Sequence, residues 1–322
     1  MEPKENCALI IVNLGTPDGP DEESIRRFLK QFLSDPRVVD FPRWLWLPIL
    51  NGIILKSRPK RLVEDYSSIW GDSAGPIVEI TFSLAKKLQT VLPSEIKVIT
   101  AMTYGNPSIK NAMKEAKGFD HIMVLPMFPQ YAGATTGAIE DQINASRHEL
   151  CVNKPISVIR DYHDEPSYIK AVSNTIRNPE RFLNIDSQLV FSFHGIPQSQ
   201  SKRGDPYQDQ CKKTATLIAE ELGLKPEAWM LTFQSRFGPL PWLKPYTDKT
   251  MQKLPKLGIR DVTLVCPGFA ADCLETIEEI DVENREFFLE SGGNSFTYID
   301  ALNDTDVHVE MIRNIVLKQF LT

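Results

Sequence analysis

Asp272, Glu275 and Glu279 fall at i, i+3 and i+7 within the stretch 266–281, CPGFAADCLETIEEID. On a helix that spacing sets three carboxylates on one face, with Leu274, Ile277 and Ile280 as the buried stripe. A row of carboxylates can pass protons or bind a cation. The same letters also fit an ordinary helix start, with Asp272 as N-cap and Glu275 as its capping-box partner. The second chemical candidate is His194, which closes the apolar run 189–193 and opens a Gly-Ile-Pro turn. Its imidazole can accept a proton or bind a metal, and carboxylates opposite would tune it for either task. His121, His148, His163 and His308 show that a histidine alone means little, so position is what singles out His194.

Both candidates follow short apolar runs, and eight of these occur, at 8–14, 98–104, 121–128, 156–159, 189–193, 229–233, 262–266 and 296–299. Runs rich in Val, Ile and Leu, spaced by amphipathic segments, mark parallel strands covered by helices on both faces. The expected fold is α/β and doubly wound, with ligands gathered beyond the carboxyl ends of the strands. The loops there come twice in the same order. Asn13-Leu14-Gly15-Thr16-Pro17 matches His194-Gly195-Ile196-Pro197, Thr103-Tyr104-Gly105-Asn106-Pro107 matches Gln234-Ser235-Arg236-Phe237-Gly238-Pro239, and Leu125-Pro126-Met127-Phe128-Pro129 matches Cys266-Pro267-Gly268-Phe269. Two similar Rossmann-like lobes are therefore expected, 1–165 and 166–322, with a cleft between them. The boundary is placed between Asp164 and Asp186, where the chain turns polar around Arg177-Asn178-Pro179-Glu180. A last helix at about 304–321, with Val307, Met311 and Ile315 at helical spacing, is expected to pack back on the first lobe.

Composition narrows the function classes. A 322-residue chain with 42% hydrophobic and 24% charged residues is globular in type and supports about two domains. A net charge of -6 without a dominant basic face speaks against nucleic acid as partner. Neither GxGxxG nor a Walker sequence is present, and Gly133-Ala134-Thr135-Thr136-Gly137 is too short to replace them, which disfavours a nucleotide enzyme. Met1 to Asn6 carries charges and runs straight into an apolar strand, so a cytoplasmic location is expected. Cys7, Cys151, Cys211, Cys266 and Cys273 contain no CxxC pair and read mostly as small buried residues of a reducing compartment.

One stretch departs from the pattern. Within 41–56, Trp44-Leu45-Trp46-Leu47-Pro48-Ile49-Leu50 and Ile53-Ile54-Leu55 are strongly apolar, yet far short of the roughly 20 residues that span a bilayer. Two readings stand: a buried core helix, or an exposed hydrophobic lip for an apolar ligand or a membrane surface, flanked by Lys56, Arg58, Lys60 and Arg61.

Six motifs in order carry a family resemblance: NLGTPD at 13–18, FLSDPRVVD at 32–40, FPQY and TTGA within 128–138, SFHGIP at 192–197, TFQSRFG at 232–238 with Trp242, and GFAADCLETIEE at 268–279. Together they resemble ferrochelatase, in particular the short bacterial enzymes that make protohaem. The resemblance implies a lyase of the metal-chelatase type that inserts Fe2+ into protoporphyrin IX. It implies His194 as active-site base or metal ligand, Glu275 as the acidic partner facing it and second candidate ligand, and Asp272 and Glu279 as an acid path leading away. Leu14, Phe237 and Trp242 are implied as walls gripping the macrocycle, Arg58 and Tyr66 as residues near its entrance and propionates, and 41–56 as the lip. No permanently bound cofactor is implied. Some members hold a [2Fe-2S] cluster through cysteines, but Gly133 stands where one ligand would be sought and the C-terminal set is missing, so no cluster is expected. Cys273 stands where several relatives have His. A monomer is expected, with a peripheral membrane contact through the lip left open. A coproporphyrin or cobalt chelatase and a non-catalytic porphyrin carrier are the alternatives.

Overall fold

The computed structural model describes residues 6–177, 187–238 and 240–320. All eight apolar runs form strands: β1 (Cys7–Asn13), β2 (Ile96–Met102), β3 (His121–Pro126), β4 (Ile156–Val158), β5 (Gln188–His194), β6 (Trp229–Gln234), β7 (Asp261–Val265) and β8 (Ser295–Ile299). They form two four-stranded parallel sheets, ordered β2-β1-β3-β4 and β6-β5-β7-β8. The two orders are the same when each strand of the first sheet is advanced by four, so the repeated loops of the sequence reflect a repeated topology. The fold is α/β, each sheet flanked by helices.

The chain divides into two compact units, Met1–Asp161 with Asp304–Thr322, and Tyr162–Asn303. In the first unit β1 is buried along its whole length. Ala8, Ile10 and Val12 face a core with Ile109, Met113, Ile139 and Ile143, while Leu9 and Ile11 are equally sealed on the other face. A strand covered on both faces cannot alternate polar and apolar residues, and that is why it reads as one unbroken apolar run. The helix Asp306–Lys318 belongs to this unit and packs on the helix Pro76–Val91. Thr305 caps its start, Arg313 Nε donates to the Val91 carbonyl (3.2 Å), and Lys87 pairs with Asp304 just ahead of it (3.1 Å). The chain passes from the first unit to the second at Asp161 and Tyr162, just ahead of the boundary expected between Asp164 and Asp186, of which 178–186 lie outside the described residues.

In the second unit β5 is the central strand, with the chain leaving to β6 on one side and returning through β7 on the other. Where the winding reverses, the loops after β5 and β7 diverge and leave the strand ends open. Val190, Leu264, Ile280, Phe288 and Phe296 close the core under one face.

One turn in the first unit has no tolerance for a side chain. Gly15, after β1, has φ +99°, and a Cβ there would stand 1.8 Å from the Tyr104 carbonyl oxygen. Gly15→Ala is expected to destabilise the protein by at least about 2 kcal/mol, read as a lowered urea midpoint with unchanged m.

Candidate active site

His194 is the last residue of β5 and is half-buried. The strand stops because Gly195 turns under the end of β6. The Gly195 N–H donates to the Gln234 carbonyl (2.8 Å), and a Cβ at 195 would meet that oxygen at 2.9 Å and the Trp242 ring at 3.2 Å. The chain then zips against the loop beyond β6 through Leu243 N–H to the Ile196 carbonyl (3.0 Å) and Gln198 N–H to the Pro241 carbonyl (2.9 Å). The imidazole is oriented locally: Nδ1 lies 2.7 Å from the Gly195 carbonyl oxygen. A carbonyl can only accept, so Nδ1 carries a proton, and in the neutral imidazole Nε2 keeps the lone pair.

At the end of β6, Gln234 is buried and all its side-chain bonding sites are engaged. Its carbonyl accepts from Ser192 Oγ (2.8 Å) and Cys266 Sγ (3.5 Å), and its amide donates to the Glu275 backbone carbonyl (2.8 Å) and approaches Glu279 Oε2 (3.5 Å). Ser235 follows with φ +63°, a conformation that serine adopts at a cost. The turn aims both its N–H (2.7 Å) and its hydroxyl at the Glu279 carboxylate.

Glu275 and Glu279 lie on a helix of mixed winding: an α-turn at Leu274–Thr276, π-type turns over Ile277–Asn284, and α again at Arg285–Glu290. The buried positions are Thr276, Ile280, Asn284 and Phe288, four apart: Ile280 is sealed as expected, whereas Leu274 and Ile277 are only half-buried. Wide turns hold more residues than the 3.6 of an α-helix, so a spacing of four keeps residues on one face. Asn284 Nδ2 steadies the wide turn by donating to the Glu279 carbonyl (2.6 Å). Burial raises the Glu279 carboxyl above its usual range, the Ser235 hydroxyl and, when protonated, His194 pull it down, and Glu275 pushes it up. That mutual influence ties His194, Glu275 and Glu279 into one electrostatic group at the open strand ends.

Asp272 is placed differently. The helix begins at Leu274 with Cys273 as N-cap, so Asp272 precedes it. Its carboxylate accepts from Tyr298 OH (2.7 Å), Thr276 Oγ1 (2.9 Å), Asn303 Nδ2 (2.7 Å) and the Ala301 N–H (3.2 Å). The capping box is made by Cys273 and Thr276, not by Asp272 and Glu275. Burial pushes the Cys273 thiol well up, and the adjacent Glu275 carboxylate adds to this. Among the described residues no three His, Cys, Asp or Glu side chains converge to hold an ion.

A family model described as Ferrochelatase matches residues 6–320. The chain belongs to the ferrochelatase family. The ferrochelatase of Hydrogenovibrio crunogenus is 45% identical over 321 residues, covering 97% of this chain and 85% of that protein. The ferrochelatase of Haemophilus influenzae is 44% identical over 325 residues, covering 99% of each. Among solved structures, SirB from Bacillus subtilis with Fe3+ superposes with a TM-score of 0.56 at 13% identity, covering 97% of this chain and 95% of that one, a likeness of fold. Membership makes the chain a metal chelatase that inserts a metal ion into a porphyrin.

The remaining ferrochelatase positions divide between the two units. In the second, Phe237 and Trp242 are half-buried and joined by Trp242 Nε1 donating to the Phe237 carbonyl (2.8 Å). In the first, Leu14 is half-buried directly after β1, Arg58 is half-buried on the helix Leu55–Ile69, and the Tyr66 ring is buried edge-on to Trp70 (6.4 Å). Within 41–56 neither reading holds for the whole stretch. Trp44 is 76% and Ile53 63% exposed, whereas Leu50 is sealed and Trp46 is a core anchor whose Nε1 donates to the Leu33 carbonyl (2.7 Å). Gln234 and Ser235 were not singled out by residue type, although a Gln closing an apolar strand is a readable signal.

The raised Glu279 carboxyl has a consequence for stability. The folded protein holds its proton to higher pH than the unfolded chain, so folding free energy is full below the unfolded value near 4.3 and is lost as pH rises through the folded value. Glu279→Gln removes this loss. Its melting temperature relative to the parent is expected to climb from pH 4 to pH 8 in calorimetry.

Proposed function

We propose that this chain inserts Fe2+ into protoporphyrin IX to give protohaem, with His194 Nε2 as proton acceptor. The observation that carries the reading is the bond from His194 Nδ1 to the Gly195 carbonyl, which in the neutral imidazole leaves the lone pair on Nε2, in one electrostatic group with Glu275 and Glu279. Insertion requires two pyrrole N–H protons to leave as two Fe–N bonds form, and the remaining nitrogens to turn their lone pairs out of the ring plane. His194 takes a pyrrole proton, Glu279 stabilises the imidazolium, and Glu275 and Glu279 hand protons onward or present iron. Imidazole and carboxylate both suit ferrous iron. The lack of a closed ligand cage among the described residues suits a metal that is substrate and must leave with the product. Phe237 and Trp242, joined beside the end of β6, supply apolar surface for the macrocycle, and a bent ring bound there lies nearer the transition state. Asp272, with its carboxylate already met by protein donors, is assigned to holding the helix start rather than to the path.

The chain has no helix among its described residues long and apolar enough to cross a membrane. Trp44, Ile53 and Phe41, exposed beside Lys56, Lys60 and Arg61, support a peripheral contact with anionic lipid. Trp44→Asp with Ile53→Asp is expected to lower sedimentation with anionic vesicles severalfold while leaving metal insertion into soluble porphyrin intact. Equal sedimentation would remove the membrane contact.

Anaerobic absorbance with protoporphyrin IX and Fe2+ tests the activity. The parent is expected to convert the free-base spectrum, and His194→Ala to bind porphyrin with insertion reduced about 1000-fold or more. Glu275→Gln is expected to slow turnover more than Glu279→Gln. Tight binding without conversion by the parent would support a carrier, and a preference for coproporphyrin or Co2+ the other chelatase readings.

A further inference from the structure

We infer that Gln234 is a positioning residue of the insertion site, its side-chain amide holding the first turn of the acidic helix so that Glu279 stays on Ser235. The inference rests on the insertion reading above. Gln234 bridges three elements that share no other common side chain in the hydrogen bonds described here: the end of β5 through Ser192, the residue after β7 through Cys266, and the acidic helix through the Glu275 carbonyl and Glu279. Its orientation is not free. Two donors, the Ser192 hydroxyl and the Cys266 thiol, converge on Oε1, while two acceptors converge on Nε2. A flipped amide would set its oxygen against the Glu275 carbonyl and the Glu279 carboxylate, and its NH2 against Ser192 and Cys266.

Ser192 is itself held from behind. Its Oγ lies 2.9 Å from Thr247 Oγ1, which donates to Thr232 Oγ1 at 2.9 Å, and Thr232 bonds to the Phe191 carbonyl at 3.3 Å. All three hydroxyl residues are buried. Each hydroxyl has one proton, so Ser192 divides its donation between Thr247 and Gln234. A buried polar chain of this kind is costly unless it does a structural or functional task, and its far end is the acidic helix. The task fits the wide turns of that helix. The Glu275 carbonyl belongs to the turn where α winding gives way to π-type winding, and an outside donor there pins the register that puts Glu279, four residues on, against the Ser235 N–H and hydroxyl.

Gln234 acts through other residues, so its signature is a changed proton affinity at Glu279 rather than a loss of binding. The charged and titratable groups facing Glu279 are His194 from β5, Cys266 after β7 and Glu275 on its own helix. Gln234→Met keeps length and removes both polar ends. Gln234→Glu keeps shape but places a third carboxyl beside Glu275 and Glu279. With fewer donors or more negative charge around it, Glu279 holds its proton to higher pH, and a site that needs the ionised form fails first on the acid side.

The test is the pH profile of kcat/KM for Fe2+ insertion into protoporphyrin IX, with melting temperatures measured in parallel. The ratio of kcat/KM at pH 8 to that at pH 6 is expected to rise about threefold in Gln234→Met and about tenfold in Gln234→Glu relative to the parent. Ser192→Ala, which loosens the amide without touching the helix, is expected to move the ratio the same way by less, and serves if the Gln234 variants do not fold. A parent that inserts iron together with folded variants whose profiles keep the parent's shape, whatever their kcat or melting temperature, would overturn the inference. A parent without insertion activity would instead overturn the reading beneath it. Carboxyl infrared bands of Glu279, titrated in parent and Gln234→Met without substrate, then give the same comparison independently of turnover, with a higher midpoint expected in the variant and equal midpoints counting against the inference.

Discussion

Glu279 is a carboxylate drawn into partly buried surroundings and kept there by the Ser235 N–H and hydroxyl. Burial alone would drive it to the neutral acid, and the donors from the end of β6, joined by the imidazole at the end of β5 once that ring takes up a proton, oppose that drive. Much of the second unit can be understood as serving this balance. Ser235 must adopt a left-handed backbone conformation to aim both donors, Gln234 must be locked on one side to pin the helix on the other, and the helix must widen so that residues four apart share a face. Each is a local departure from the regular pattern, and all three meet within one strand end.

The sheet topology explains why that strand end is available. In an order of β6-β5-β7-β8 the chain leaves β5 toward one side and reaches β7 on the other, so no connection crosses above them. His194, Gln234 and Cys266 stand at or just beyond the ends of three adjacent strands, and the helix carrying Glu275 and Glu279 starts from the loop after β7. The first unit repeats the winding, but its corresponding loops carry Leu14 and the Gly15 turn in place of a histidine and acids. One topology thus serves twice, with the histidine and the paired glutamates at the strand ends of the second unit.

The strands were legible because sheets covered on both faces leave unbroken apolar runs, and His194 was legible because it ends such a run. The face of the acidic helix was not, since a 3.6-residue period was applied to a segment whose turns are wider, and Leu274 and Ile277 were placed in the stripe that Thr276 and Asn284 occupy. The spacing i, i+3, i+7 sets Asp272 on the helix face and its residue type offers it as N-cap, but the helix starts later, and the cap is the less usual Cys273 with Thr276 as partner. Composition could not divide Trp44 from Trp46, because two tryptophans two residues apart point to different sides of one helix and only packing against Leu33 identifies the buried one. Gln234 is marked in the sequence only by its place at the end of an apolar run: its importance lies in four partners from three elements, and no window of sequence contains them.

The central claim is that the neutral imidazole of His194 offers a bare Nε2, and 15N NMR of histidine-labelled protein tests it most directly, with the His194 signals assigned by their loss in His194→Gln. The expected result for the neutral ring is a protonated Nδ1 and an unprotonated Nε2, the tautomer that the Gly195 carbonyl selects. A proton on Nε2 with a bare Nδ1 would contradict the claim, since no base would then face the carboxylates and the proton acceptor would have to be sought among Glu275 and Glu279 themselves.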